Sequence, residues 1–571
     1  MNYLQNPIPL AEWVDSFTSW MTQTFSAFFR LIQETGSVIM DGMTQTMQFI
    51  PPLMFIAILG AVMFLSSRGK KGLTLFAVLG PLLILNQGVW NEMLYTLSLV
   101  IVATMISVIL GIPLGIWMAK SEAARNIVTP ILDFMQTMPA FVYLIPAVAF
   151  FGIGMVPGVF ASVIFALPPT VRFTNLGIRQ VPKDLTEASE SFGSTGWQKL
   201  MKLELPLAKQ TIFAGINQTT MLALSMVVTA SMIGAPGLGE GVLTALQRAN
   251  VGSGFVYGTA LVILAILMDR LTQNINEPVL AEEPARGKVR QRLTMSVAIA
   301  AALFLIAGTS YYALVDDTEQ TVVLSSVQWD SEMASAHVMK TVLEDAGFSV
   351  EIKNLDPTVM WSAVAAGEAD ATVAPWLPNT HGFLYDQYAE KMVELGPNMS
   401  GASNGIAVPS YMEVDSLADL TDEAGRQITG VEPGAGVQAM AQALPETYPN
   451  LSDWNVTSSS TGAMLVEMEQ AIANEEEFFA VVWAPHWMFE VYDLKILEDP
   501  LLAMGEEEHI VTFARQGLEQ EMPEVFRILD NFNWTVEDMQ TVMLDLQEVG
   551  PELAARNWVD DNPDKVASWL K

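Results

Sequence analysis

The hydrophobic positions of this chain change rhythm near Val315. Before it they gather into long, nearly unbroken apolar runs; after it they come as short β-rich segments alternating with stretches of helical period. The runs lie near residues 51–67, 72–88, 94–119, 132–154, 157–177, 209–233, 254–274 and 293–315. A hydrocarbon core takes roughly 17–25 apolar residues of helix, so each run is long enough to cross a membrane, and about eight transmembrane helices are expected. Ahead of them, Trp13, Phe17, Trp20, Phe25, Phe28, Phe29 and Ile32 recur among polar residues at roughly helical spacing. Residues 1–50 are therefore read as one or two amphipathic helices, either lying on the membrane or packed on the bundle that follows. No basic n-region precedes a short apolar block there, so no cleavable leader is expected.

From Thr321 the order is strand (321–328), helix (331–346), strand (350–354), helix (357–367), strand (371–374). This βαβαβ order predicts a parallel sheet covered by helices. A second set follows: strand 454–458, helix 461–473 and strand 478–482. The expected fold is an α-helical membrane domain joined to an α/β domain of two lobes. Residues 401–409 are read as the crossover between the lobes and 490–500 as the return. The domain limits are placed at 1–50 for the amphipathic segment, 51–292 for the membrane core, 293–320 for a transmembrane tether and linker, and 321–571 for the bilobed domain.

Charge sharpens the division. Residues 1–315 carry 18 Lys and Arg against 16 Asp and Glu, whereas the remainder carries 10 against 46, a net charge of −36. Such a domain repels nucleic acid and stays soluble when exposed. With no Cys and only four His, lacking an HExxH pair, thiolate chemistry and a zinc site are not expected. Arg68, Lys70 and Lys71, then Lys120 and Arg125, then Arg179 and Lys183, and finally Arg286, Lys288, Arg290 and Arg292 occupy alternate loops. The intervening loops hold almost no positive charge, Arg248 excepted. Positive loops face the cytoplasm, so both chain ends and the acidic domain are expected outside.

Two kinds of motif carry chemistry. In the membrane half, Met138-Pro139-Ala140 and Leu167-Pro168-Pro169 predict kinks, and the small residues between Ala230 and Gly239 predict close packing or a gate. The long loop after residue 177 reads Glu187-Ala188-Ser189-Glu190-Ser191-Phe192-Gly193-Ser194, continuing through Trp197 and Leu200 to Leu205-Pro206. It resembles the EAA loop of ABC importer permeases, with Ser189 in place of the second alanine. Two short helices with a glycine turn between them are expected. The resemblance implies docking on an ATPase through Glu187, Ala188, Gly193 and Pro206. Neither half contains a GxxxxGK[ST] phosphate loop, so this chain is not expected to be an enzyme or to hold a cofactor, and ATP would belong to a partner subunit.

In the acidic half, Trp329, Trp376 and Trp483 fall at strand ends, where ligands of open α/β sheets sit. A cage of aromatic faces attracts a quaternary ammonium group, which has no hydrogen to donate. Glu432-Pro433-Gly434-Ala435-Gly436-Val437 opens a helix, and the backbone N–H groups of Gly436 and Val437 are candidates for holding an anion such as a carboxylate. His381 is a candidate side-chain donor, with His486 as its rival.

Trp329, the run Trp376-Leu377-Pro378-Asn379-Thr380-His381, Pro433-Gly434-Ala435-Gly436-Val437 and Trp483-Ala484-Pro485-His486-Trp487 resemble the glycine betaine binding proteins. The whole chain resembles the fused permease and binding-protein subunit of OpuA-type osmoprotectant importers of Gram-positive bacteria. The resemblance implies a type I permease, a type II binding domain and a bacterial cell-membrane location. It further implies an aromatic prism of Trp329, Trp376 and Trp483, and a carboxylate site of His381, Gly436 and Val437. It also implies two copies of this chain with two ATPase subunits, and activation by ionic strength; Arg286–Arg292 would suit anionic lipid. Proline betaine, carnitine and choline remain alternatives to glycine betaine. A ligand-sensing receptor is the alternative function, and it would require a cytoplasmic signalling domain.

Overall fold

The computed structural model describes residues 9–67, 70–247, 250–276, 303–311 and 321–571. Arg68, Arg248, Arg286, Lys288, Arg290, Arg292 and most of the run at 293–315, including Val315, lie outside the described residues. The chain forms two compact units, one of residues 1–242 with 255–317 and the other of residues 318–571 with 243–254.

In the first unit, four helices among the described residues are long and apolar enough to span a membrane: Trp90–Lys120, Met155–Arg179, Gly196–Ser231 and Val251–Asn274. Two further pairs meet the same test but are sharply bent. Ser26–Gln48 meets Pro52–Ser66 at 94°, and Glu122–Thr137 meets Ala140–Phe151 at 109°. Lys71–Asn86 is apolar but only 16 residues long. Among the described residues the count is thus four to six, and the expected eighth run at 293–315 lies mostly outside them. Hydropathy registers apolar residues but not breaks in the backbone. Met138, which precedes Pro139, takes an extended conformation (φ −67°, ψ 137°) and splits the expected span at 132–154. The Tyr143 hydroxyl then donates to the Met135 carbonyl across the break at 2.8 Å, supplying a partner that the interrupted helix lacks. The proline pair Pro168-Pro169, by contrast, sits inside the continuous helix Met155–Arg179.

The two N-terminal helices differ in burial. Leu10–Thr24 exposes Trp13, Phe17 and Trp20. Ser26–Gln48 instead buries Phe29, Met40, Met43 and Met47 against the bundle, with Phe29 stacked on Phe150 at 4.7 Å. Residues 303–311 are helical and pack on it closely. A Cβ on Gly308 would lie 2.3 Å from Thr46 Oγ1, and one on Gly42 would lie 2.9 Å from the Thr309 Cα.

Small residues set the crossings of the long helices. A Cβ on Gly115 would stand 2.7 Å from the Val171 carbonyl oxygen and 2.5 Å from the Thr174 Cβ. One on Gly215 would stand 2.6 Å from the Phe173 Cβ. Apolar surface alone gives helices no preference for each other over lipid, so close backbone approach and interhelical hydrogen bonds carry the association. Thr219 supplies such bonds, donating to the Ala166 carbonyl at 2.8 Å and sharing a hydroxyl contact of 2.8 Å with Thr170.

In the second unit ten strands form one sheet, eight of them in the order β2-β1-β3-β10-β5-β8-β6-β7, with β4 paired to β10 and β9 to β5 off that path. The strands are β1 (Thr321–Ser326), β2 (Ser349–Asn354), β3 (Ala371–Thr372), β4 (Trp376–Leu377), β5 (Met392–Pro409), β6 (Gln427–Thr429), β7 (Asn455–Thr457), β8 (Ala480–Ala484), β9 (Leu494–Ile496) and β10 (Glu508–Arg515). Each lobe has a central strand flanked by parallel neighbours. β1 lies between β2 and β3, and β6 between β7 and β8. β5 runs through both lobes, pairing with β10 up to Ala402 and with β8 from Ser403. The passage between lobes therefore falls at Ala402–Ser403, and most of 401–409 is a strand of the second lobe. β9 still pairs with β5, so the return follows it rather than spanning 490–500.

The helix over 330–345 buries Met333, Val338, Met339 and Val342 against the first sheet. Pro357–Ala366 starts on the Asp356 side chain, which accepts from the Thr358 N–H, and stops at Gly367 with φ +78°. Thr461–Asn474 covers the second sheet behind the Ser460 cap. Four C-terminal helices, from Pro523 to Trp569, close the first lobe around Trp534, Trp558 and Trp569.

Gly115→Leu is expected to destabilise the detergent-solubilised chain by about 1–3 kcal/mol of overpacking. Gly72→Ala, at a position with nothing within 4 Å of the added Cβ, leaves the melting temperature near that of the unaltered chain. Thermal unfolding of both variants checks this.

Candidate functional site

Loops leaving the two central strands meet over a small cavity within the second unit. Trp329 follows β1, and Gly436 and Val437 follow β6, the equivalent strand of the other lobe. Trp376 opens β4 and Trp483 lies within β8, so these two stand in short strands rather than beyond strand ends. All three tryptophans line the cavity, as do Gly436 and Val437. The Trp329 and Trp483 rings lie 6.2 Å apart at 49°, two inclined apolar faces. The domain's other tryptophans serve elsewhere; Trp361 and Trp569, for example, are wholly buried in the core.

The Trp376–His381 loop is held from within. Its Trp376 N–H donates to His381 Nδ1 at 2.9 Å, and the His381 N–H returns a bond to the Trp376 carbonyl at 3.0 Å. Glu508 of β10 accepts from the Asn379 N–H (2.6 Å), the Thr380 N–H (2.7 Å), the Thr380 hydroxyl (2.5 Å) and the Asn404 amide (2.8 Å). One buried carboxylate thereby fixes both the loop and the place where β5 passes between lobes. The turn after β6 is fixed by Gln438, whose side chain accepts from the Val431 N–H at 2.8 Å, and by Glu432, which accepts from the Thr461 N–H and hydroxyl at 2.8 and 2.9 Å.

Gly436 must be glycine for a reason the turn alone does not supply. A Cβ there would lie 1.9 Å from the Thr380 carbonyl oxygen, which belongs to the opposite lobe. The N-cap Ala435 has no side-chain acceptor, so the first N–H groups of the helix Gly436–Gln442 receive no side-chain cap.

The two histidines differ. Burial pulls His381 down to about 4, and its Nδ1 accepts a hydrogen bond, so the neutral ring carries its proton on Nε2. That Nε2 is buried without a partner. Thr380, rather than His381, forms the cavity wall beside it. Burial likewise pulls His486 down to about 4, but its Nε2 lies 4.0 Å from Asp330 Oδ2 and its Nδ1 accepts from the Met488 N–H at 3.2 Å. His381 therefore has a spare donor, whereas the outer nitrogen of His486 faces a carboxylate.

Glu332, Thr380, Asn404, Val431, Glu432 and Ala435 complete the wall, and sequence reasoning singled out none of them for this role. Glu332 accepts from Trp376 Nε1 at 2.8 Å and from the Ser331 hydroxyl at 2.6 Å, and burial pushes it up to about 7. Asp330 accepts from Trp487 Nε1 at 2.6 Å, linking the first lobe to the second. The usable signal was spacing, since Glu332 stands one helical turn beyond Trp329.

The loop after Met155–Arg179 lies in the first unit. It forms the helix Lys183–Ser191, a turn at Gly193 (φ +80°) and the helix Gly196–Lys199, capped by Thr195 and Gln198. Glu187, Ala188 and Gly193 are exposed, and Pro206 lies in the first turn of Leu205–Ser225. Phe192 is 91% exposed and Trp197 69%, an apolar edge on a polar loop. Beneath it the buried Glu204 pairs with Lys120 at 2.5 Å.

Comparison with known proteins agrees with both units. Residues 320–561 match the substrate-binding domain of ABC-type glycine betaine transport systems, and residues 111–279 match the inner-membrane component of binding-protein-dependent transport systems. The glycine betaine/carnitine transport permease GbuB of Listeria monocytogenes is 57% identical over 277 residues, 48% of this chain and 98% of that protein. The glycine betaine permease OpuAB of Bacillus subtilis is 53% identical over 268 residues, 47% of this chain and 94% of that protein. This chain belongs to the ABC-type glycine betaine transport family. Within the family it combines a permease with a substrate-binding domain in one polypeptide. The lactococcal OpuAC domain, solved closed on glycine betaine, is 46% identical, covering 44% of this chain and all of that one with a TM-score of 0.43.

Gly436→Ala is expected to weaken ligand binding at least about tenfold, because the added methyl group meets a backbone carbonyl that has little room to move. The same clash is expected to lower the melting temperature of the chain as well. Tryptophan fluorescence titration beside thermal unfolding checks both.

Proposed function

We propose that this chain is the membrane and substrate-binding subunit of an ATP-driven osmoprotectant importer. It captures glycine betaine outside the cell and passes it through its own permease domain into the cytoplasm. One observation carries the reading: three tryptophans and the Gly436 and Val437 helix start, drawn from both lobes, line a single cavity. Their chemistry matches a betaine at both ends. The indole faces of Trp329, Trp376 and Trp483 attract the quaternary nitrogen. The N–H groups of Gly436 and Val437 take the carboxylate, with the spare Nε2 proton of His381, set behind Thr380 in the cavity wall, as the side-chain donor, a charge-assisted arrangement. Closing the lobes excludes water and strengthens both interactions.

The loop 183–206 supports the coupling half of the reading. Glu187, Ala188, Gly193 and Pro206, with the exposed Phe192 and Trp197, offer a separate ATPase subunit an apolar edge. Two copies of this chain with two such ATPases complete the importer, in a bacterial membrane whose anionic lipids the basic loops suit. Positive residues in alternate loops support an outward-facing binding domain. Tethered there, the domain delivers ligand at high effective concentration.

Trp376→Ala and Trp483→Ala are each expected to weaken glycine betaine binding by more than about 1 kcal/mol in calorimetry. Changing Glu187 or Gly193 should abolish uptake while leaving binding intact. Full uptake by both loop variants in proteoliposomes containing the ATPase would overturn the coupling assignment.

A further inference from the structure

Glu332 belongs to neither end of the betaine site just described, yet it stands in the cavity wall. It lies in the first turn of the helix Asp330–Asp345 and is 2% exposed. One carboxylate oxygen accepts from Trp376 Nε1 at 2.8 Å and the other from the Ser331 hydroxyl at 2.6 Å. Both donors are neutral, so these bonds orient the carboxyl group without balancing its charge. A carboxylate withdrawn from water and answered only by neutral donors is unfavourable until a cation arrives.

On the reading that the cavity holds a quaternary ammonium group, we infer that Glu332 is a charge-recognition residue for that group. It acts in two ways. Its negative charge attracts the quaternary nitrogen across a cavity that excludes water. By accepting the indole hydrogen of Trp376, it also makes that ring face more electron-rich where the cation rests. The same hydrogen bond fixes the indole plane, so charge and cage geometry are set by one contact.

The surrounding ionisable groups leave Glu332 this role. Asp330, on its own helix, is held by Trp487. Glu432 across the cavity is held by Thr461, and Glu508 behind the Trp376–His381 loop by Asn379, Thr380 and Asn404. His381 and His486, pulled by burial to about 4, stay neutral above about pH 6.

Burial pushes Glu332 up to about 7, partly opposed by its hydrogen bonds and reinforced by the nearby Asp330 charge. A bound cation favours the ionised form and pulls this value down. Affinity therefore rises as pH rises through about 7. In the ligand-free protein the sign is opposite. The folded-state value lies above the ordinary 4.5, so this group's contribution to stability falls between pH 4.5 and about 7.

Calorimetric titration of the full-length chain in nanodiscs with glycine betaine, at pH values from about 6 to 8, tests the inference. Glu332→Gln keeps the shape of the side chain and an acceptor for the Trp376 indole. It is expected to weaken binding roughly tenfold at pH 8 and to flatten the pH profile. Glu332→Asp, which retains the charge, is expected to recover part of the affinity and the pH dependence. Unaltered affinity in Glu332→Gln, or a flat profile in the unaltered chain, would overturn the role. So would a lowered melting temperature in Glu332→Gln with affinity and pH profile retained. Trp376→Ala measured in parallel separates the two levels: retained binding there overturns the quaternary ammonium reading, whereas lost binding with a wild-type Glu332→Gln overturns the role of Glu332 alone.

Discussion

At Gly436 the two lobes of the binding domain come so close that no atom larger than hydrogen fits between them. A Cβ would lie 1.9 Å from the Thr380 carbonyl oxygen. Much of the site depends on that approach. It brings the helix start at Gly436 and Val437 to the same cavity as Trp329 and Trp376, which lie on the opposite lobe. It also explains why the partner surfaces are so firmly held. Glu508 receives four hydrogen bonds to fix Thr380 and its neighbours, and Gln438 ties down the turn after β6. A ligand that cannot donate hydrogen bonds from its cationic end must be held by shape and by ring faces, and shape is lost if either surface moves.

The acidity of the binding domain takes on a more specific meaning in this setting. Most of its carboxylates keep an exposed domain soluble. A few organise the site: the buried Glu508 behind the Trp376–His381 loop, Asp330 between the lobes and Glu332 beneath Trp376, and the half-buried Glu432 across the start of Thr461–Asn474. Each accepts from neutral donors, indoles, hydroxyls, a side-chain amide or backbone N–H groups. Such bonds fix direction while leaving negative charge around a cavity suited to a cation.

The membrane unit is governed by a different balance. Lipid solvates apolar helices as well as other helices do, so its crossings form where Gly111, Gly115, Gly177 and Gly215 let backbones approach. A proline then breaks one of the apolar stretches, after Met138. The result is a bundle of long helices beside bent pairs, with the loop from Lys183 to Pro206 presenting Phe192 and Trp197 at its edge.

Local pattern determined a good deal on its own. Helical period placed Asp330–Asp345, Pro357–Ala366 and Thr461–Asn474 to within about a residue of their observed ends. The charge step near Val315 separated the two units, and the spacing of Trp329, Trp376 and Trp483 marked residues that meet around one cavity. These features depend on neighbours close in sequence, or on a topology that repeats in both lobes. Tertiary structure decided the rest. Hydropathy does not register the extended backbone at Met138, so a broken pair passed for a span. Amphipathic spacing states that Ser26–Gln48 has an apolar face, but only packing shows that this face meets Phe150 rather than lipid. Among 46 acidic residues nothing local distinguishes Glu332 from a solvated surface carboxylate. Its difference comes from Trp376, 44 positions away, whose indole reaches it only when β1 and β4 lie in one sheet.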